Sequence, residues 1–365
     1  MRGKDRMRGG EACGTGGRQA RCACNSRSAC GPRSARGPHR ATACGPCEMK
    51  SPVNADCEEL NRRYGAPERI VFRPSRHGVP IVVLANKYGS AEVALFGAQT
   101  LSYRPTGNPP VLYMPHPYDE TPAGEEIHGG IPVCWPWFAR CGGEGAKPHG
   151  LARYSTWSVR SSEYSGSLTE IHLGLASSDA TRAVWPHDFD LELSVSVSMK
   201  LTLCLTVKNT GDVPFKFTGG FHPYLLVKGR EGVSVRGVDG CAFFDTRAPE
   251  KGSERVWTGD YAPIADGSKV FTVEKHEHVL VDPGLRRAIA LVSRGNKKLV
   301  VWNPGPESAG RVAELGERGW DRFVCVEPAT IYEDAALELA PGEEHKLVMA
   351  IQSVPEGANY QETKT

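Results

Sequence analysis

"FDLELSVSVSMKLTLCLTVKNTG", residues 189–211, alternates apolar side chains with small or polar ones over most of its length. Within "LELSVSVSMKLTLCLTV" one face reads Leu, Val, Met or Leu, and the other is small or polar. A period of two belongs to a half-buried β-strand, whose successive side chains point to opposite faces. The run is long enough to bend or to fold back as a hairpin. Working outward, similar apolar runs recur with turn residues between them: "RIVFR" (69–73), "PIVVLAN" (80–86), "AEVALFG" (91–97), "TEIHLGLA" (169–176), "KVFTVEKHEHVLV" (269–281), "RAIALVS" (287–293), "KLVVWNPG" (298–305) and "EHKLVMAIQSV" (344–354). One short helix is predicted at "NADCEELNRRYG", with Asn54 as its cap, acidic residues in its first turn, basic ones in its last and a glycine to end it. Many short strands punctuated by Gly and Pro, with almost no amphipathic helix, predict an all-β fold. No fixed-period repeat points to a propeller or solenoid. The expected form is one large antiparallel β-sandwich over residues 55–356, with a concave face left for a ligand and a polar tail at 357–365.

The first fifty residues differ. They hold eleven Lys or Arg against Asp5, Glu11 and Glu48, a balance of +8 that leaves the remainder at −6. Rich in Arg, Gly, Ala, Ser and Cys, they lack the apolar residues and periodicity of a packed core, so residues 1–54 read as a disordered leader. An Arg- and Ser-rich, acidic-poor leader is compatible with an organellar transit peptide, with a low-complexity extension or with an overextended start site, and it lacks the apolar segment of a secretory signal. "CGPC" (44–47) lacks the following helix and βαβ context that would make it a redox turn, and no second such pair completes a zinc site. The cysteines of the body are scattered and read as small hydrophobes in a reducing compartment. A mildly acidic body argues against nucleic acid as a partner, and the absence of any apolar run of about eighteen residues argues against a membrane span. The cytoplasm is the expected location, with an organelle as the alternative, and a monomer the expected state.

Four stretches concentrate Gly, Pro, His, Trp and charge: "EIHGGIPVCWPWFARCGG" (126–143), "KPHGLARYSTW" (147–157), "GGFHPYLLV" (219–227) and "RFVCVEPAT" (322–330). Each sets a polar or titratable group beside residues that restrict the backbone, as a rigid scaffold does when it presents side chains to a ligand. Trp135, Trp137 and Phe138 are either core or the apolar wall on which a sugar's C–H face rests. His149 and Arg153 are either a surface pair or ligand contacts. His222 is either a hydrogen-bonded structural imidazole or a proton donor. Glu327 ends an apolar strand, where a carboxylate is costly unless something pairs with it or uses it. An imidazole and a carboxylate facing each other across a small cavity would be a general acid and a general base. No G-x-S-x-G elbow supports a nucleophilic triad, and a hydrolase would need a second carboxylate, for which only Asp245 or Glu277 could be invoked.

"GGIPVCWPWF", "HGLARYSTW", "WPHDFDLEL" (185–193), "LTLCLTVKNTGD" (201–212), "FHPYL", "VVWNPGP" (300–306) and "FVCVEPA" resemble, in that order, the landmarks of the glucose-6-phosphate 1-epimerases, or hexose-6-phosphate mutarotases. These belong with the aldose 1-epimerases among the galactose mutarotase-like β-supersandwiches. The resemblance covers roughly residues 67–355. It implies a cofactor-free, metal-free interconversion of α and β anomers of a sugar phosphate, with aldose 1-epimerase action on unphosphorylated sugars, or carbohydrate binding without turnover, as alternatives. On that resemblance His222 protonates the ring oxygen, Glu327 takes the proton of the anomeric hydroxyl, His149 contacts sugar hydroxyls, and Arg153 contacts the substrate, its phosphate included. Three departures bear on phosphate selectivity. Relatives carry Arg where this chain has His128, an Asp-Arg pair where it has Glu277 and His278, and Asn where it has Tyr154. His128 and Glu277 are therefore the expected substrate contacts at those positions.

Overall fold

The computed structural model describes residues 52–118, 124–140, 146–248, 255–263, 266–310 and 312–357. The expected leader lies outside them up to residue 51, "CGPC" included, as does the expected tail beyond residue 357. The helix runs Pro52–Tyr64, so Asn54 falls inside its first turn instead of capping it. It closes where predicted, with the Gly65 N–H donating to the Asn61 carbonyl. The Asn61 side chain bonds both backbone groups of Phe72 and ties the helix to strand Ile70–Pro74.

The long alternating run folds as a hairpin. Strand Phe189–Val197 pairs with Leu201–Asn209 in a register that begins at Val197 opposite Leu201. Met199 is accordingly 58% exposed at the tip. The expectation that it joins the apolar face fails because the chain turns there and the alternation restarts beyond it.

This hairpin lies within an eight-stranded antiparallel sheet that also takes in Glu277–Asp282, Arg287–Arg294 and Glu344–Pro355. A second eight-stranded sheet contains Gly267–Thr272, Lys298–Asn303, Phe323–Thr330, Gly219–Phe221, Tyr224–Leu226 and Val133–Cys134. Leu193, Leu203, Leu205, Leu291 and Met349 from the first sheet share one core with Phe221, Phe271, Leu299, Val301, Val324 and Val326 from the second. A four-stranded sheet spanning residues 70–105 adds Phe72, Leu84 and Tyr103 to that core. Fully burying each such side chain contributes about 1.5–3 kcal/mol, which is why the sandwich closes on these faces.

One predicted strand is divided. "KVFTVEKHEHVLV" is two strands, Gly267–Thr272 in the second sheet and Glu277–Asp282 in the first, with the chain crossing between sheets at residues 273–276. The polar "EKHE" interrupts the apolar pattern there.

Gly150 holds the loop that carries His149 and Arg153. Its φ is +81°, and a Cβ there would meet the Trp135 carbonyl oxygen at 2.1 Å. Gly150→Ala is expected to cost about 2 kcal/mol or more, from backbone strain and overpacking together. Gly166, where a Cβ would meet nothing within 4 Å, is the control: Gly166→Ala should stay within about 0.5 kcal/mol of the parent in urea denaturation.

Candidate active site

Strand Phe323–Thr330 is buried along its whole length, so both of its faces are covered. Val324 and Val326 enter the sandwich core, whereas Phe323 and Cys325 pack on the opposite face with Tyr113 and Tyr224. By the same alternation Glu327 points to that opposite face. The neighbouring chain pairs with this strand twice. Gly219 and Gly220 sit opposite Thr330 and Ala329, and Tyr224 sits opposite Cys325. Between them Pro223, which has no N–H to give the ladder, interrupts the strand. The register is the same on both sides of the break, which sets His222 opposite Glu327. Gly220 permits this approach, since a Cβ there would meet the Pro328 carbonyl oxygen at 2.5 Å.

The two ionisable groups meet at the floor of a cleft of about 350 Å³, with His222 Nε2 3.6 Å from Glu327 Oε2. They are 6% and 1% exposed. The sequence reading sets them facing each other across the cavity; instead, as cross-strand neighbours, they lie side by side on its floor. Burial pushes the Glu327 carboxyl well above the ordinary carboxylate value. Burial first, and then electrostatic coupling to His149 and Arg153, push the His222 imidazole well below its ordinary value. Both directions favour a protonated carboxyl beside a neutral ring. Glu327 Oε1 and His222 Nδ1 have no hydrogen-bond partner among the described residues. The imidazole also makes several ring contacts. It stacks on Tyr224 at 4.9 Å and on Phe138 at 6.1 Å, and meets His149 and Trp302 edge-on.

His149 also lines the cleft. Its Nδ1 accepts from the Ala139 N–H at 3.3 Å and lies 3.3 Å from the Cys134 sulfur. Nδ1 is thereby an acceptor, which leaves Nε2 as the donor. Burial and then Arg153 lower this imidazole to about 3, so it is neutral at ordinary pH. Arg153 is buried, with its guanidinium 3.4 Å from Glu126. The Tyr154 hydroxyl donates to the same carboxylate at 2.6 Å. Burial opposes the charge of Glu126, but Arg153, the Tyr154 hydroxyl and the nearby histidines outweigh it and hold the carboxyl below its ordinary value. Arg153 Nη2 nonetheless makes no hydrogen bond among the described residues. His128 lines the cleft as well, but its backbone N–H and its ring Nδ1 both bond Glu314.

Five of the six residues expected from sequence thus line one cleft: His128, His149, Arg153, His222 and Glu327. Glu277 does not. It begins strand Glu277–Asp282, in the sheet on the other side of the core, in register with Val292. The expectation failed because a single predicted strand became two in different sheets. Asp245 also lies off the cleft lining, bonded to Lys269 at 2.7 Å. Of the three aromatics, only Phe138 reaches the cleft. Trp135 packs in the core against Trp185 and Phe189, and Trp137 donates to the Lys147 carbonyl. Sequence reasoning missed Glu126, Arg140, Tyr224, Trp302 and Tyr332. Trp302 was findable, since it alternates with Val300 on a strand adjacent to that of Glu327. Tyr332 carries no such signal: a backbone at φ 68° and ψ 164°, a region almost reserved for glycine, holds its ring at the rim.

Comparisons with known proteins place the chain in a family. Residues 80–352 match the model of the family described as Aldose 1-epimerase. The chain is 32% identical over 263 residues to a protein of Escherichia coli K12, covering 71% of this chain and 86% of that one. It is 30% identical over 285 residues to one of Salmonella typhimurium, covering 77% and 93%, and 26% identical over 308 residues to one of Cenchrus ciliaris, covering 81% and 88%. All three bear the name "Putative glucose-6-phosphate 1-epimerase". A crystal structure described as a "putative mutarotase" from Salmonella typhimurium superposes with a TM-score of 0.73 at 27% identity, over 80% of this chain and 96% of that one. A protein of Synechocystis sp. PCC 6803 superposes with a TM-score of 0.64 at 20% identity, over 78% and 97%, and shares the fold. The chain belongs to the aldose 1-epimerase family.

Proposed function

We propose that this enzyme interconverts the α and β anomers of hexose 6-phosphates, glucose 6-phosphate first among them, with His222 and Glu327 as the proton-transfer pair. The observation that carries the assignment is their placement side by side, 3.6 Å apart, at the floor of the cleft. The ring oxygen and the anomeric hydroxyl of a pyranose are bonded to the same carbon. A donor and an acceptor for those two oxygens can therefore be neighbours.

The pair holds one proton. Glu327 Oε1 has no hydrogen-bond partner among the described residues, and the anomeric O–H would supply one. A hydrogen bond to the charged form favours that form, so substrate draws the proton from the carboxyl toward His222. His222 then protonates the ring oxygen while Glu327 removes the anomeric proton. The ring opens to the aldehyde, C1 turns about its bond to C2, and closure on the other face reverses both transfers. His149 Nε2–H and the rings of Phe138 and Trp302 position the sugar, and Arg153 and Arg140 supply positive charge for the phosphate. A free aldose is the second reading, favoured by one feature: His128 and Arg153 already have Glu314 and Glu126 as partners.

Exchange of anomers followed by NMR for glucose and glucose 6-phosphate separates the two readings. His222→Asn and Glu327→Gln should each lower turnover at least about a hundredfold, the scale of a general acid or base; near-parental rates in both would overturn the assignment. Arg153→Ala should raise KM more for the phosphorylated sugar than for its free counterpart, whereas equal effects would remove phosphate from this residue. Because its pKa is lowered, the His222 ring should remain neutral in ligand-free protein as pH falls through about 6.5, the ordinary histidine value. Nitrogen-15 shifts of the ring report this directly, and an imidazolium at that pH would contradict it.

A further inference from the structure

Cys325 takes no part in the proton transfers above. It lies two residues before Glu327 on the same face of one strand, beneath the cleft floor and opposite Tyr224 and Trp302. Its sulfur, a carboxylate oxygen of Glu327 and a ring nitrogen of His222 all lie within 4.8 Å of one another, and all three residues are buried. We propose that these three side chains form a binding site for a thiophilic divalent cation, Zn²⁺ above all, and that the bound ion inhibits by occupying the catalytic pair in competition with substrate.

The donor set is one sulfur, one imidazole nitrogen and one carboxylate oxygen, types that zinc accepts together. Zinc–ligand bonds of about 2.0–2.3 Å in a tetrahedron set neighbouring donors about 3.4 Å apart. The separation of 3.6 Å between His222 Nε2 and Glu327 Oε2 is within a few tenths of an ångström of that edge. Charge favours occupation as well. A thiolate, a carboxylate and a divalent cation sum to zero, so the ion offsets the cost of burying two anions that neither could bear alone. Binding releases two protons to solvent, one from the Cys325 thiol and one from the His222–Glu327 pair, with no change of oxidation state. His222 and Glu327 line the cleft, which gives the ion its path, and water or a sugar hydroxyl would complete a four-coordinate ion.

The inhibitory half of the proposal rests on the reading of His222 and Glu327 given above; the binding half does not. The test uses full-length protein, freed of metal and then titrated with buffered Zn²⁺ during anomer exchange. Cys325→Ala should turn over within about twofold of the parent without metal and need at least ten times more free Zn²⁺ for half inhibition. Equal sensitivity of parent and variant would overturn the proposal, and would place any inhibition elsewhere, such as the cysteines of residues 1–50. Co²⁺ supplies the independent readout: the parent should show one more equivalent of thiolate-to-metal absorption than Cys325→Ala, and no difference would reject the site. If the parent proves inactive while that difference is present, the functional reading falls and the metal site stands. Cys325→Ser is read in the same way should the alanine variant not fold.

Discussion

Everything at the site depends on one antiparallel pairing. The segment Gly219–Leu226 lies along Phe323–Thr330 in a register that survives an interruption at Pro223. That register brings an imidazole and a carboxylate, more than a hundred residues apart in the chain, to adjacent positions on the face of a sheet directed away from the main core. Placing them in a dry setting is costly, and the cost appears in their opposed pKa shifts. A sheet can sustain it because the rest of the strand is buried and largely apolar, and because the rings of Tyr224 and Phe138 stack on the imidazole.

The surroundings follow a different rule. Glu327 Oε1 and His222 Nδ1 have no hydrogen-bond partner among the described residues, whereas the groups around them are engaged: Arg153 and Tyr154 with Glu126, His128 with Glu314, His149 with Cys134 and Ala139. The same lack of partners leaves Glu327 and His222 open to a cation, which links the chemistry of the site to a vulnerability in it.

The strands and the hairpin at 189–209 were legible because alternation is a local property: each position declares its face, whatever lies opposite. Errors arose where a tertiary decision intervened. Met199 fits the alternation but sits where the chain turns. Residues 269–281 look continuous yet divide between two sheets, and that division carried Glu277 away from the cleft. Asn54 has the chemistry of a cap, but the helix begins at Pro52. Trp135 and Trp137 were ambiguous between core and cleft because aromatic composition says nothing about which side of a sheet a ring faces.

The sequence by itself determined the all-β class, the alternating strands within 189–209 and, through its landmark motifs, five of the residues that line the cleft. Only the tertiary structure decided that His222 and Glu327 are neighbours on the cleft floor, that His128 and Arg153 are held by Glu314 and Glu126, and that the Cys325 sulfur lies within 4.8 Å of the pair. The physical reason is that periodicity is written along the chain, whereas strand register and sheet order are settled by which buried faces pack together, and distances between side chains exist only after that choice is made.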